Sequence, residues 1–558
     1  TPAARWDVVP RQRINAGETL KTGVVAFSKA GIAEVRFHIS GQGYRGTSPK
    51  VAPQMTYNDR VDVWEYWVPI SASEFSQDGP ITVEAVVVGN DGGTRDKNTT
   101  PGNGLEALTL FVNPNGTLPR NTAYVALNGN DATAQVNNPS RPYKTIGKAM
   151  QGIEAFQGGR ADGGVVRLRP GDYIADGGGI YNGATCRVVD EWITITHDPA
   201  AGGTQANTRI VGQREGDLTA FYLKVAELTL SAPNIINGGS SADAGRNSRS
   251  VWLKDCRITG GSGDFHFPVG SGWRGPHYYT ECVISDQRRA SGNGQNHRLM
   301  RNLTMLRTRE DNFQSVPCGI NIWVDGSDPG PGPNPEHADV IQGPPAIASG
   351  AAFMHNWIWY NLVAKDLHYQ GIFVRSGGTS KNNAFVNCFL EMRAPIRLDM
   401  GTGRGSNFSG NYDHLLFWNC SFVGNGTAHK GTIGMYESTT VPPNQFLMKD
   451  VSIRGCVFEQ FRTTVSAADK SWVYNPDVEI YDNHYVRVLS HSHGLAPDTA
   501  GNTTTTGDPR LMMTTSSADF GRPLSGSPLI GRVTPPLVPA DATGRAHGTS
   551  AEIGALAR

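Results

Sequence analysis

Alternating apolar and polar residues mark the first hundred positions as β-structure. In AEVRFHIS (33–40), valine, phenylalanine and isoleucine alternate with glutamate, arginine and histidine, the pattern of a strand with one buried face. VWEYWVPI (63–70) and ITVEAVVVGNDGG (81–93) predict further strands, and the second of these ends in a turn. We therefore expect a β-sandwich over residues 1–115, joined by a linker at 116–123 to the rest of the chain.

The pattern then changes to a helical period before it returns to strands. KTIGKAMQGIEAF (144–156) carries apolar residues at helical spacing, and GGVVRLRPGDYI (163–174) follows as a strand. Strand, polar loop, short helix and strand in this order resemble the N-terminal cap of secreted right-handed parallel β-helix proteins.

One strand phrase recurs through the middle of the chain. Its central dipeptides lie 26, 21, 59, 26, 32 and 36 residues apart, and the interval of 59 fits two turns. Imperfect repeats of this length, each with one strand and no helix, predict a β-helix over residues 124–506. The dipeptides are Asp255-Cys256, Glu281-Cys282, Asn302-Leu303, Asn361-Leu362, Asn387-Cys388, Asn419-Cys420 and Gly455-Cys456.

The repeat also explains the cysteines. Five of the seven occupy one repeat position, which leucine fills twice, so we expect an inward apolar stack of reduced thiols. Rungs about 4.8 Å apart with parallel side chains do not favour disulfides between stacked cysteines. Cys186 and Cys318 lie off the stack. The neighbouring Asn361, Asn387 and Asn419 predict a ladder of side-chain amides at a turn.

The cap, the repeats and four short motifs near the end of the chain carry a family resemblance. The motifs are GDPRL (507–511), GRPLSGSPLIG (521–531), DATGR (541–545) and EIGAL (552–556). Together they resemble secreted bacterial proteins with a right-handed parallel β-helix, the pectin-lyase-like proteins that degrade polysaccharides, and residues 1–115 resemble a bacterial immunoglobulin-like module. The resemblance implies an all-β fold: an immunoglobulin-like sandwich, a right-handed parallel β-helix and a C-terminal tail (507–558) packed on it.

Composition narrows the classes of partner. The formal net charge is zero, which gives no general attraction to nucleic acid, and no apolar run reaches the roughly 18 residues of a membrane-inserted helix. The 67 glycines and 34 prolines fit a chain of short strands and turns. Because the chain starts at Thr1 without Met, we expect a mature or trimmed form. The resemblance to secreted β-helix proteins implies a secreted or periplasmic location. We also expect a monomer.

Candidate chemistry centres on HADVIQ (337–342), where alternation assigns His337 and Asp339 to one face of a short strand. Polar residues recur at one-turn spacing in the next two phrases, so all could line a groove along the β-helix. The candidate catalytic residues are His337, Asp339, Arg375 and Arg397. The candidate substrate-binding residues are Asp311, His368, Gln370, Arg393 and Asp399.

Eleven arginines between positions 274 and 404 favour an acidic polysaccharide as the substrate, since arginine binds carboxylate and sulfate in a bidentate manner. We expect a polysaccharide lyase: Arg375 or Arg397 neutralises the uronate carboxylate, and His337, oriented by Asp339, removes the C5 proton.

Two alternatives stay open. A glycoside hydrolase would use paired carboxylates, Asp311 with Asp339 or Asp399, although the Asp-Asp pair and Gly-His-Gly of polygalacturonases are absent. A non-catalytic glycan binder or spike-like adhesin would only bind along the groove. The sequence identifies no cofactor with certainty, and the acidic residues leave a divalent cation such as calcium open.

Overall fold

The computed structural model describes most of the chain in segments. They are residues 1–116, 120–158, 160–176, 187–214, 222–231, 250–259, 276–286, 297–307, 313–314, 316–326, 339–342, 354–365, 370–375, 379–391, 394–400, 411–424, 432–437, 448–458, 460–464, 479–486, 505–506, 508–513 and 517–557. Within several strands, including 373–375, 394–400, 432–437 and 460–464, the description is of the backbone alone.

The first 113 residues form a sandwich of two sheets whose facing sides share one core. The alternation of the sequence is observed: Val35, Phe37 and Ile39 are buried against Val24 and Ala26 of the opposite sheet. The first sheet contains Ala3–Trp6, Thr19–Phe27, Val63–Ser71 and Thr56–Asn58. The second contains Arg13–Asn15, Leu108–Asn113, Gly79–Gly89, Ile32–Ser40, Lys50–Ala52 and Thr94–Arg95.

The helical period of the cap is also observed. The α-helix Ile146–Phe156 begins after Thr145, whose hydroxyl accepts a hydrogen bond from the amide of Lys148 at 3.3 Å. Its apolar face, with Met150 and Ile153 fully buried, closes the end of the large core. The described residues also contain two short 3₁₀-helices, Ala72–Glu74 and Pro199–Ala201.

Beyond the sandwich, the described residues form a much larger sheet of 22 strands that pair in parallel, turn upon turn. This architecture is consistent with a β-helix, and the all-β fold class is confirmed. The strands are Thr122–Val125, Arg160–Leu168, Gly171–Asp176, Arg187–His197, Thr208–Arg214, Tyr222–Ala226, Thr229–Leu230, Ser250–Lys254, Arg257–Thr259, His277–Thr280, Val283–Ser285, His297–Leu306, Cys318–Asp325, Ile358–Lys365, Thr379–Glu391, Asn411–Trp418, Ser421–Val423, Met448–Arg454, Val457–Phe458, Glu479–Tyr481, His484–Tyr485 and Thr505–Thr506.

The repeated dipeptide marks a corner at which each turn bends. Its first residue has a left-handed backbone, with φ between 49° and 65°, in every described turn that the sequence aligned. Asn, Asp and Gly adopt that conformation at the lowest cost, which explains why they fill most of the first positions of the repeated dipeptide. The structure adds Glu227, Asn321 and Asp482 to the series. Asn321 divides the interval of 59 residues into two turns, as expected.

The amide ladder is present over four of these corners. Nδ2 of Asn321 donates to Oδ1 of Asn302 at 3.0 Å, Asn361 donates to Asn321 at 2.8 Å, and Asn387 donates to Asn361 at 3.0 Å. Asn419 is buried at the next corner, but its amide atoms have no hydrogen-bond partner there. The ladder prediction is therefore confirmed at Asn361 and Asn387 and is wrong at Asn419.

The cysteines of the repeat stack inside the coil as reduced thiols. Cys256, Cys282, Cys388, Cys420 and Cys456 are at most 1 % exposed and form no disulfide. They share the core with Leu303 and Leu362, as the repeat predicts. Cys318 is also buried and free, while Cys186 lies outside the described residues.

The outward face of the large sheet is apolar too, and the sandwich covers it. Trp252, Ile320 and Tyr360 pack in one cluster with Phe27 and Val63 of the sandwich. A polar network crosses the same contact. Arg301 donates to the Asp7 carbonyl at 2.5 Å and pairs with the Glu281 carboxylate at 2.8 Å.

A reciprocal pair of hydrogen bonds fixes the first strand of the sandwich to the coil. The Ala4 amide donates to Oδ1 of Asn356 at 2.7 Å, and Nδ2 of Asn356 donates to the Ala4 carbonyl at 2.7 Å. Asn356 and Ala4 are fully buried. The side-chain amide thus completes the backbone pairing of the strand as another strand would.

The tail packs on the coil beside the corner ladder. Leu529, Val533 and Ile553 are buried in a cluster with Val363 and Phe389 of the coil. The DATGR motif forms a turn in which Oδ1 of the buried Asp541 accepts the amides of Thr543 and Arg545 at 2.8 and 2.9 Å. One Asn387 amide hydrogen bonds the carbonyl of Ala540 at 2.8 Å, which attaches this turn to the ladder.

Candidate functional site

A separate sheet of six parallel strands in the coil holds most of the candidate residues. Its register aligns Phe313, Ile341, Ile372, Ile396, Ile433 and Phe461 in one row across the turns. The first three of these side chains are fully buried, so this row marks the inward parity of the sheet. The strands are Phe313–Gln314, Asp339–Gln342, Gln370–Arg375, Ala394–Met400, Thr432–Glu437 and Gln460–Thr464.

The register gives the backbone position of five candidate residues. Asp339 pairs with Gln370, Arg375 pairs with Asp399, and Arg397 pairs with Phe373. The three phrases therefore lie on consecutive turns. The other four candidates, His337, Asp311, His368 and Arg393, lie outside the described residues.

Three of these five residues have neighbouring backbone positions, namely Arg375, Arg397 and Asp399. Tyr436 lies beside them on the next turn. Arg375, Asp399 and Tyr436 are successive Cα partners on three turns. Arg397 precedes Asp399 by two residues, so its Cα lies about 8 Å from that of Arg375. All four have the parity opposite to the buried isoleucine row. We call Arg375, Arg397, Asp399 and Tyr436 the groove cluster.

Asp339 lies apart from this cluster. Counting residues and turns through the register, its Cα is about 14 Å from that of Arg397 and about 17 Å from that of Arg375. The sequence expectation that Asp339, Arg375 and Arg397 reach one sugar ring thus lacks support in the backbone geometry. Asp339 also has the parity of the buried Ile341, and Val340 is buried as well. Alternation therefore does not assign one outward face to HADVIQ.

Tyr436 is the residue that sequence reasoning missed. It lies in TIGMYE (432–437), which carries no cysteine phrase and was not aligned with the other groove strands. The signal was the inward parity itself, because Ile433 and Met435 continue the spacing of Ile396 and Leu398. That alignment brings Tyr436 into the row of Arg375 and Asp399.

Some of the arginines between positions 274 and 404 pair with carboxylates of the protein itself. Arg301, which supported the acidic-substrate argument, is 3 % exposed and pairs with Asp7 and Glu281 in the contact with the sandwich. Arg307 forms a bidentate pair with Asp286 at 2.5 and 2.7 Å. These two arginines have partners within the protein, so the argument for an acidic ligand rests on the remaining ones.

No three His, Cys, Asp or Glu side chains converge as metal ligands within the described part of the chain. Among the carboxylates that the sequence left open for a cation, Asp339 and Asp399 have Cα atoms about 19 Å apart by the register. Since calcium ligands lie only about 2.3–2.6 Å from the ion, these two residues do not share one site. Nor does any helix in the described segments have the length and apolar character to cross a membrane.

The coiled parallel sheet with a mainly antiparallel sandwich docked on its outer face defines an all-β protein of β-helix type, with the groove cluster on its six-stranded sheet. Beyond this class, comparison with known proteins adds nothing: no family model, no curated protein and no solved structure matches the chain.

Proposed function

We propose that this protein cleaves an acidic polysaccharide by β-elimination on the six-stranded sheet. One observation carries the proposal, namely the register that aligns Arg375, Asp399 and Tyr436 on consecutive turns with Arg397 two residues away. Two arginines and a phenol within one or two turns offer cationic and proton-transferring groups over the span of about one or two sugar rings.

The chemistry needs two functions. Arg375 and Arg397 neutralise the uronate carboxylate, which makes the C5 proton more acidic and stabilises the enolate-like charge that develops. A base then takes the C5 proton, the C4–C5 double bond forms, and the bond from C4 to the glycosidic oxygen breaks. That oxygen takes up a proton and leaves as a hydroxyl group.

Two residues compete for the role of base. His337 is the candidate from the sequence, and its neighbour Asp339 lies about 17 Å from Arg375 at Cα. Tyr436 is two turns from Arg375 in the same row, and a phenol is among the groups that serve as general bases. We therefore favour Tyr436, with Asp399 positioned between it and Arg375.

A glycoside hydrolase is the second candidate, since the chain offers several carboxylates. An Asp339–Asp399 pair, with Cα atoms about 19 Å apart, exceeds the roughly 5–9.5 Å between the carboxyl groups of such enzymes. A hydrolase would therefore have to use Asp311 beside one of them. No described contact favours that pairing.

Incubation with a panel of acidic polysaccharides tests the reaction type. A lyase produces the ultraviolet absorbance of an unsaturated uronate, a hydrolase releases reducing ends without it, and an adhesin does neither. Failure to form unsaturated product from any acidic polysaccharide in a broad panel, with the protein folded, would count against the proposal.

Point variants test the residues. Tyr436→Phe should reduce turnover by about 10²–10⁴ if the phenol is the base, and His337→Ala should then change it little. Arg375→Gln and Arg397→Gln should reduce turnover by about 10²–10³. Arg307→Gln is the control, because Arg307 is an arginine of the coil that lies off the six-stranded sheet. Wild-type turnover in both arginine variants would refute the groove cluster.

A further inference from the structure

A second polar cleft lies where the sandwich meets the beginning of the coil. It has a volume of about 280 Å³ and is formed by residues 11–13 of the sandwich and by the outward faces of Arg160–Leu168, Arg187–His197 and Tyr222–Ala226. We call it the junction cleft. Five turns separate Lys224 in this cleft from the turn that bears Arg375, a distance of about 24 Å along the coil.

The junction cleft has an excess of positive charge. Its lining includes the cations Arg11, Arg13, Arg120, Arg167 and Lys224. Its two carboxylates are already engaged. Glu191 accepts two hydrogen bonds from Nε of Arg13 at 2.9 and 3.0 Å, and Glu227 pairs with His197 at 3.2 Å. Arg167 lies 4.0 Å from the carboxylate of Asp198, outside the lining, and Arg11 lies over the ring of Tyr222. Among the described residues, neither cleft carboxylate forms an ion pair with Arg120, Arg167 or Lys224.

Lys224 is partly buried in the lining of the cleft. Its ammonium lies 4.1 Å from the ring centroid of Trp252, and the described residues provide it with no hydrogen bond or ion pair. Burial, together with repulsion from Lys254 and Arg120, lowers the pKa of Lys224 to about 8. Glu227 and Glu281 act in the opposite direction but do not restore the pKa. A bound anion would relieve this repulsion.

The rest of the lining suits a sugar ring. Thr194 and Thr196 present hydroxyl groups to the cleft, and Gln12 adds an amide. The volume corresponds to about nine water molecules at about 30 Å³ each, more than a bare inorganic anion requires. Trp192 and Trp252 are buried, so a ring would be held by charge and hydrogen bonds, without stacking on an open aromatic face.

We propose that the junction cleft binds one carboxylate-bearing sugar, with Lys224, Arg167 and Arg120 around the carboxylate and the threonine hydroxyls on the ring. The site lies apart from the groove cluster and does not depend on cleavage there. An acidic sugar that bound here would contact both the sandwich and the coil, and it would therefore stabilise their contact.

Isothermal titration calorimetry of the full chain with glucuronate, glucose and inorganic sulfate tests this site. We expect glucuronate to bind at pH 7 and glucose not to bind. Lys224→Gln and Arg167→Gln should each weaken glucuronate binding by tenfold or more, whereas Lys144→Gln, at an exposed lysine of the cap, should leave it unchanged. Binding should weaken as the pH rises from 7 to 9, because free Lys224 loses its proton.

Three results would overturn the proposal: no glucuronate binding at tens of millimolar, equal binding of sulfate with nothing gained from the ring, or glucuronate binding that neither variant weakens. Thermal melting of each variant checks its fold. If Lys224→Gln is destabilised, Arg120→Gln at an exposed position replaces it in the same comparison. Tyr436→Phe, which tests cleavage, should leave this binding intact, so the two sites can fail independently.

Discussion

Replacing Asn356 tests whether the sandwich is an integral part of the fold. Asn356→Ala removes both 2.7 Å hydrogen bonds to the Ala4 backbone and leaves a buried amide and carbonyl without partners. Each such loss costs about 1–3 kcal/mol, and the lower value applies where water can enter. Asn356 also has a φ of 55°, which costs alanine about 1 kcal/mol more. We therefore expect the free energy of unfolding to fall by about 3 kcal/mol.

Asn356→Gly is the matched variant, since glycine loses the same hydrogen bonds but tolerates the positive φ. It should cost about 1 kcal/mol less than Asn356→Ala. Urea denaturation followed by tryptophan fluorescence measures the loss, because Trp6 lies in the sandwich core and Trp252 in its contact with the coil. Hydrogen exchange at Ala4 shows whether undocking precedes unfolding. An Asn356→Ala protein within about 0.5 kcal/mol of wild type, with Ala4 still protected, would refute the reasoning.

Three further predictions follow from the core and the contact. Cys388→Ala should cost about 1–3 kcal/mol as a small cavity, and a thiol reagent should label the six described cysteines only after denaturation; rapid native labelling would contradict the stack. Burial, with repulsion from Asp7, raises the pKa of Glu65 well above its usual range. The protonated form thus favours folding, so stability should decline as the pH rises from about 4.3 through the folded pKa, and Glu65→Gln should flatten that decline in urea titrations. A chain lacking residues 1–115 should expose the apolar outward face of the coil and self-associate in light scattering, and a monodisperse product would argue that the contact is dispensable.

The corner of each turn could be predicted because one local constraint governs it. A left-handed backbone admits Asn, Asp and Gly at low cost, and the next residue must fit the core, so Asn387-Cys388 and Asn419-Cys420 reveal the period directly. The sandwich strands and the cap helix were predicted for a similar reason, since each has one polar face. Asn321 escaped detection because isoleucine follows it, where the other aligned corners have cysteine or leucine.

The docking of the sandwich and the groove cluster could not be derived in the same way. IWYNLVAK (358–365) is apolar at both parities, a pattern of strands buried on both faces, but it does not say what covers the second face. In the candidate groove, the spacing between the sequence phrases indicated which turns are neighbours. It did not indicate which residues on neighbouring turns pair with each other. Five residues along a strand separate Cα atoms by about 17 Å, which is why Asp339 and Arg375 could be assigned to adjacent turns and still lie far apart.

The six buried and reduced cysteines have a consequence for the stability of the molecule outside a reducing environment. Folded, the thiols are at most 1 % exposed and inert to oxidants. Once the coil opens in air, the same six thiols become free to cross-link with one another and with other chains, and a scrambled chain cannot rebuild the stack. Heat inactivation would then be irreversible, and the half-life of the native state, set by its unfolding rate, would govern survival more than its equilibrium stability.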